Sequence, residues 1–95
     1  MSKSFKDLGG ELDQLLEQIG IRERVDEQRV LQLFETIMGA SFCKRARAVK
    51  IERGILYIEV ESSAWRQELF YQKSMIKTRL NEALGRVFVK DVIFR

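Results

Sequence analysis

Positively charged side chains are concentrated in one ten-residue run of the sequence, KRARAVKIER, in which Glu52 is the single opposing charge. Such a density of lysine and arginine favours binding to a polyanion such as nucleic acid, because cations attract backbone phosphates whatever the base sequence. A solvent-exposed edge strand uses the same residue types to discourage aggregation, and the sequence leaves both interpretations open. The cations of this run are Lys44, Arg45, Arg47, Lys50 and Arg53.

A second group of cations falls on a helix that is predicted to follow Ser62. At 100° per residue, Arg66, Lys73 and Lys77 share one narrow column, and Phe70 lies next to it. Cations beside an aromatic ring could track a nucleic-acid backbone while bases stack on the ring. Equally, the column could be a solubilising flank whose lysine stems cover apolar surface.

Trp65, the only tryptophan, lies on a different face of the same predicted helix. That face repeats apolar residues at helical spacing, which indicates a core position rather than a platform for base stacking. The predicted core comprises Phe34, Leu56, Ile58, Val60, Trp65, Leu69, Ile76 and Leu80.

Catalytic residue types are scarce, because the chain has no histidine and a single cysteine. Lys44 and Arg45 follow Cys43 and would lower the pKa of its thiol, but no base completes a nucleophile pair, so we expect a structural thiol. A disulfide, a zinc site and a phosphate-binding glycine loop are all absent from the pattern. We therefore expect no enzymatic activity, no metal and no cofactor.

Length and composition predict one soluble domain over residues 1–95, with 45% hydrophobic and 33% charged residues. The net charge of +3 is uneven: residues 1–38 have five lysines and arginines against eight acids, whereas residues 39–95 have twelve against six. No apolar stretch approaches the ~20 residues that cross a bilayer, and no signal-peptide core is present. We expect a cytoplasmic protein without membrane contact.

Two helices are predicted before the basic run. Ser4 caps the first, over residues 4–19, and Gly20 ends it. Asp26 caps the second, which Gly39 ends.

After Gly39 the apolar period changes to that of strands. Arg53 and Gly54 supply a hairpin turn between two strands, but the register of the first strand is open. Either regular pairing begins after Arg47, or a bulge turns Arg45 and Arg47 outward.

A long helix is then predicted from Ser62 or Ser63 to Leu84, ended by Gly85, and residues 87–94 form a last strand. The order α-α-β-β-α-β predicts a small two-layer α+β domain, with a three-stranded sheet and helices on one face.

Four stretches of the sequence together resemble the DciA-like family of bacterial proteins, long catalogued as domain-of-unknown-function family 721. Its core signature would cover residues 34–95, preceded by the N-terminal helix over residues 4–19. The family usually has tryptophan at the position of Phe34. The matching stretches are FETIMG, RGILYIEVESSAWRQEL, LNEALG and VKDVIFR.

The resemblance implies a compact α+β domain similar to K-homology modules, in a cytoplasmic bacterial protein of DNA replication. Family members bind DNA and assist the replicative helicase, which is thereby a candidate partner. Better-studied members engage the helicase through a further tail, and this sequence ends at Arg95 directly after the last predicted strand, so we expect DNA binding rather than helicase loading. K-homology domains clamp the backbone with a GxxG loop, which this sequence lacks.

We therefore expect a non-enzymatic nucleic-acid-binding module, for DNA rather than RNA, with little sequence specificity. The alternative is an adaptor that docks on a replication or RNA-processing partner through a sheet edge or its acidic N-terminal helices. The acids of those helices are Glu11, Asp13, Glu17, Glu23 and Glu27.

Overall fold

A computed structural model of the chain describes residues 5–95, with side chains from residue 11 onward apart from position 13. The predicted cap Ser4 lies outside the described residues. Seven elements follow in chain order: α1 (Phe5–Met38), α2 (Ala40–Cys43), β1 (Ala46–Glu52), β2 (Ile55–Val60), α3 (Ser63–Phe70), α4 (Lys73–Leu84) and β3 (Asp91–Phe94).

The three strands form one mixed sheet in the order β1-β2-β3, with β1 antiparallel and β3 parallel to the central strand. Arg53 and Gly54 connect β1 to β2 with φ of 53° and 83°, the left-handed pair that a two-residue hairpin requires. A parallel neighbour needs a crossover connection, which α3 and α4 provide. The predicted α+β class and the order of helices and strands are confirmed.

A bulge decides the register of β1. Ala46, Arg47 and Ala48 pair regularly with β2, and the register then shifts between Ala48 and Lys50. Ala46 is consequently buried, while the side chain of Arg47 is 74% exposed on the opposite face of the sheet. Of the two predicted alternatives, the bulge is therefore the correct one for Arg47.

The core lies between one face of the sheet and the helices. Leu56 and Ile58 of β2 are fully buried there, in the same apolar cluster as Val30 and Phe34 of α1. Trp65 is only half-buried and packs at the margin of this core. The predicted core residues that are fully or almost fully buried are Phe34, Leu56, Ile58, Val60, Leu69, Ile76 and Leu80.

The predicted division of the N-terminal region into two helices is wrong, because α1 runs through Gly20 without interruption. One glycine costs a helix about 1 kcal/mol, less than the cost of ending it and nucleating another. Asp26 caps nothing; it is buried inside α1, where its carboxylate lies 2.5 Å from the Arg86 guanidinium.

The predicted long helix is also broken, at Tyr71 and Gln72. Its beginning is as expected, because the Ser62 hydroxyl accepts a hydrogen bond from the Trp65 N–H at 3.1 Å. At the break, the Gln72 N–H donates to the Leu69 carbonyl three residues back, which tightens the last turn of α3. The rest continues as α4 until Gly85, whose φ of 90° caps it as predicted.

The last strand is shorter than predicted, because a side chain occupies the backbone groups before it. Asn81 Oδ1 accepts from the N–H groups of Phe88 and Val89, and Asn81 Nδ2 donates to the Val89 carbonyl. The backbone groups of Phe88 and Val89 are therefore bonded outside the sheet, the Lys90 N–H donates to the Gly54 carbonyl in the hairpin turn, and pairing begins only at Asp91.

Candidate nucleic-acid interface

Four cations from two parts of the chain line one cleft of about 430 Å³, called here the basic cleft. Lys44 and Arg45 precede β1, Arg47 lies on its outward face, and Arg95 follows β3. Hydrogen bonds fix the position of Arg95, whose N–H donates to Ile58 and whose carbonyl accepts from the Val60 N–H. The remaining walls are Glu59, Val60 and Glu61.

Positive charge dominates the basic cleft, with four cations against two carboxylates. Arg47 pairs with Glu59 at 3.6 Å, and both side chains are largely exposed, so this pair is weak and leaves Arg47 able to exchange partners. No described carboxylate pairs with Lys44, Arg45 or Arg95. Such uncompensated cations attract phosphate groups.

A row of three aromatic rings leads from the core to one of these cations, Arg45. The Arg45 guanidinium lies 5.8 Å from the centre of the Trp65 ring. Trp65 in turn contacts Phe42 at 5.8 Å between ring centroids, and Phe42 contacts the buried Phe34 at 5.9 Å. The tryptophan thus connects the core to the basic cleft, because a cation above an indole ring is held by the ring's charge distribution.

On the open face of the sheet, Tyr57 lies between two further cation contacts. Lys50 Nζ is 5.0 Å from the centre of its ring, and the Arg95 guanidinium is 5.1 Å from it. Lys50 also pairs with Glu52 at 3.5 Å. Tyr57 therefore links Lys50 to the basic cleft through Arg95.

A second concavity of about 500 Å³, the aromatic groove, lies between α3 and β3. Phe70 and Tyr71 stand at its wall with 61% and 76% of their surface exposed, and their rings contact each other edge to face at 6.2 Å. Large exposed rings are unusual on a soluble protein and suit flat, unpaired bases. Its other lining residues are Ser63, Arg66, Gln67, Lys73, Val92, Ile93 and Phe94.

Lys73 is the best-fixed cation of the aromatic groove. Its Nζ lies 2.8 Å from Asp91 Oδ1 and 5.7 Å from the centre of the Phe70 ring. The hydrogen bond from Lys73 is the main cause that lowers the pKa of Asp91, followed by the Val92 N–H, and the charge of Lys77 adds to it. Lys73 and Lys77 are consequently grouped around one carboxylate, which compensates part of their charge.

The basic cleft and the aromatic groove adjoin. Arg66 lines the groove, and its guanidinium donates to the carbonyl of Val60, a cleft residue, at 3.4 Å. Along β3, Phe94 lines the groove and the next residue, Arg95, lines the cleft. The basic run and the helical cations therefore meet at the end of the sheet where β2 and β3 finish.

Three of the predicted site residues, Lys50, Arg53 and Lys77, line neither concavity, and Arg53 is the one that lies far along the hairpin. It occupies the hairpin turn, six residues beyond Arg47, which is about 20 Å along a strand. Sequence reasoning missed Arg95 and Tyr57, since they contact each other only after β3 has paired with β2. It also missed Tyr71, which lies beside Phe70 where α3 ends. The cation after the last strand was a usable signal for Arg95.

The surroundings of Cys43 do not activate its thiol as a nucleophile. Burial raises the pKa of its thiol, and the charge of Glu35 raises it further, opposite to the lowering expected from its basic neighbours. A raised pKa keeps the sulfur as a thiol, which favours the structural role.

Among the described residues, no group of three or more histidine, cysteine and acidic side chains is arranged to hold a metal ion. None of the described helices has both the length and the hydropathy that crossing a bilayer requires.

Comparison with known protein families gives a match over most of the chain. A family model described as "Dna[CI] antecedent, DciA" matches residues 7–94, nearly the whole chain. No curated protein matches the chain significantly. The resemblance found over residues 34–95 is thereby confirmed, and it extends into α1.

Proposed function

The chain belongs to the DciA family, which is associated with replication and the replicative helicase, and we propose that it is a non-enzymatic nucleic-acid-binding module of that system. The observation that carries this proposal is the basic cleft, where two segments distant in sequence bring four cations together beside exposed rings. A cytoplasmic location remains a prediction.

The basic cleft suits the phosphates and the aromatic groove suits the bases of one strand. Phosphates bound by Lys44, Arg45 and Arg95 would position the strand without reading its sequence. Phe70 and Tyr71 offer ring faces to unpaired bases, which a duplex keeps stacked inside. We therefore propose binding of low sequence specificity, to DNA rather than RNA.

The junction between α3 and α4 supports this division of roles. K-homology domains have a GxxG loop between helices, which clamps the backbone. Here the junction consists of Phe70, Tyr71, Gln72 and Lys73. This junction has aromatic side chains and no GxxG sequence, so we assign the phosphates to the cations of the neighbouring cleft.

Charge reversal separates the cleft from the rest of the basic run. We expect Arg45→Glu to weaken binding of labelled single-stranded DNA roughly tenfold or more and to lower the salt slope by about one, because a phosphate contact is lost. Arg53→Glu makes the same charge change at the hairpin turn and should alter affinity less than about twofold. Fluorescence anisotropy at two salt concentrations measures both, with duplex DNA and RNA as further ligands.

Equal losses in the two variants would show that only net charge matters and that the cleft is not the site. Binding that ignores salt, or no binding at low salt, would refute nucleic-acid binding itself.

The alternative function is an adaptor that docks on the helicase or another partner, and the exposed leucines of α1 favour it. Under this alternative, reversing the five acids of the N-terminal region should abolish co-purification with the helicase and leave DNA retention intact. The acids are Glu11, Asp13, Glu17, Glu23 and Glu27.

A further inference from the structure

The N-terminal part of α1, residues 11–25 and called here the arm, presents an apolar stripe. Leu12, Leu15, Leu16 and Ile19 are 58%, 52%, 64% and 47% exposed. At 100° per residue they occupy one sector about 100° wide, the width of a helix face that is normally buried. Nothing in the described part of the chain covers this stripe.

The charge of the arm limits what could cover the stripe. Residues 11–21 contain three acids and no lysine or arginine. This segment repels the phosphates of nucleic acid and of anionic lipid, so neither is suited to lie against it. A protein surface with its own apolar stripe remains.

The arm is complementary to itself. Its stripe has the palindromic spacing L-x-x-L-L-x-x-I. When two arms run antiparallel about a centre between Leu15 and Leu16, Leu12 of one copy faces Ile19 of the other, and Leu15 faces Leu16. Each apolar side chain then has an apolar partner, which is the condition for a helix pair.

Charges on either side of the stripe select this orientation. Glu11 and Asp13 lie at its beginning, and Arg22 and Arg24 follow it. An antiparallel pair places the acids of one arm beside the arginines of the other, whereas a parallel pair places acids beside acids. We propose that the arm pairs antiparallel with the arm of a second copy of this chain.

The pairing stops at a dimer, because both copies use the same patch and none is left free for a third copy. Four partly exposed aliphatic side chains per copy make a small interface, so we expect a dissociation constant in roughly the micromolar range. The two folded bodies, which begin near residue 26, would lie about 30 Å apart at 1.5 Å per residue. If the proposed nucleic-acid function also holds, one dimer presents two basic clefts to a long strand.

Sedimentation equilibrium of the full chain without nucleic acid tests the pairing, over about 1 to about 300 µM to bracket a micromolar constant. The wild type should convert from monomer to dimer. Leu16→Glu should weaken the dimer roughly tenfold or more, because it would bury a carboxylate against the partner's apolar stripe. Ile21→Glu is the matched control, since Ile21 is 50% exposed on the opposite face, and it should leave the dimer unchanged.

Disulfide trapping tests the orientation in a Cys43→Ser background. Leu15→Cys lies beside the two-fold axis and should crosslink on oxidation, whereas Leu12→Cys would be about 10 Å along the axis from its copy and should not. A parallel pair would crosslink both.

Three results would each overturn the proposal: a monomer at every concentration, a dimer that Leu16→Glu leaves intact, or equal crosslinking at both positions. Circular dichroism of the variants confirms that each remains folded, which keeps a loss of pairing distinct from a loss of structure.

Discussion

The two halves of α1 have the same apolar spacing and opposite surroundings. In residues 26–38, Val30 and Phe34 are fully buried against the sheet. In the arm, Leu12 and Leu16 occupy the same sector of the helix and are 58% and 64% exposed. Apolar periodicity therefore shows that a helix face needs a partner, and the topology shows whether the chain itself supplies one.

The largest expected effect is the difference in stability between two substitutions, one in each half of α1. Phe34→Ala should lower the free energy of unfolding by about 3–5 kcal/mol, because it leaves a cavity in the core. Leu16→Ala should change it by less than about 0.5 kcal/mol, because the side chain is exposed in the monomer. Urea unfolding at a protein concentration that keeps the chain monomeric measures both, and similar losses would mean that the arm packs on the body.

A smaller effect is expected at Asp26, where α1 first meets the body. Removing its carboxylate leaves Arg86 without its partner, a loss that is moderate because the Arg86 side chain is 40% exposed. We expect Asp26→Ala to cost about 1–2 kcal/mol in unfolding free energy. Glu23→Ala, an exposed acid of the arm, is the control; an equal cost there would contradict the boundary between the two halves.

The smallest effect is a loss of stability at acid pH, and it arises in the folded body that begins near residue 26. Lys73 holds the pKa of Asp91 below its ordinary value of 3.8. A pKa lowered by folding stabilises the native state above the unfolded pKa, and this stabilisation is lost as pH falls through the lower folded pKa. Both side chains are partly exposed, at 32% and 49%, so the loss should be small.

Lys73→Met should flatten this acid dependence, measured as the urea midpoint at neutral pH and at about pH 3. Arg79→Met, an exposed cation on the same helix, should preserve it. A flattened profile in both variants would assign the effect to net charge rather than to the Lys73–Asp91 pair.

The parts of the fold that the sequence predicted are those with local causes. Arg53 and Gly54 specify the hairpin because both take positive φ, and Ser62 and Gly85 mark the two ends of the helical region because each satisfies nearby backbone groups. Gly20 wrongly indicated the end of a helix, since a single glycine weakens a helix without ending it.

The candidate site was only half predictable. The basic run indicated Lys44, Arg45 and Arg47, but Arg95 joins them only because β3 pairs with β2. Arg53, the last residue of that run, lies outside the site because the hairpin places it at the far end of the strands. Sequence distance and spatial distance diverge wherever strands pair.

By itself, the sequence determined the element types, most of the core and the excess of positive charge after residue 38, because periodicity, capping and composition act over a few residues. Only the tertiary structure decided which cations share a cleft, where the long helix breaks and which leucines stay exposed. Those features depend on contacts between segments far apart in the chain, whose free energy is settled when the whole core packs.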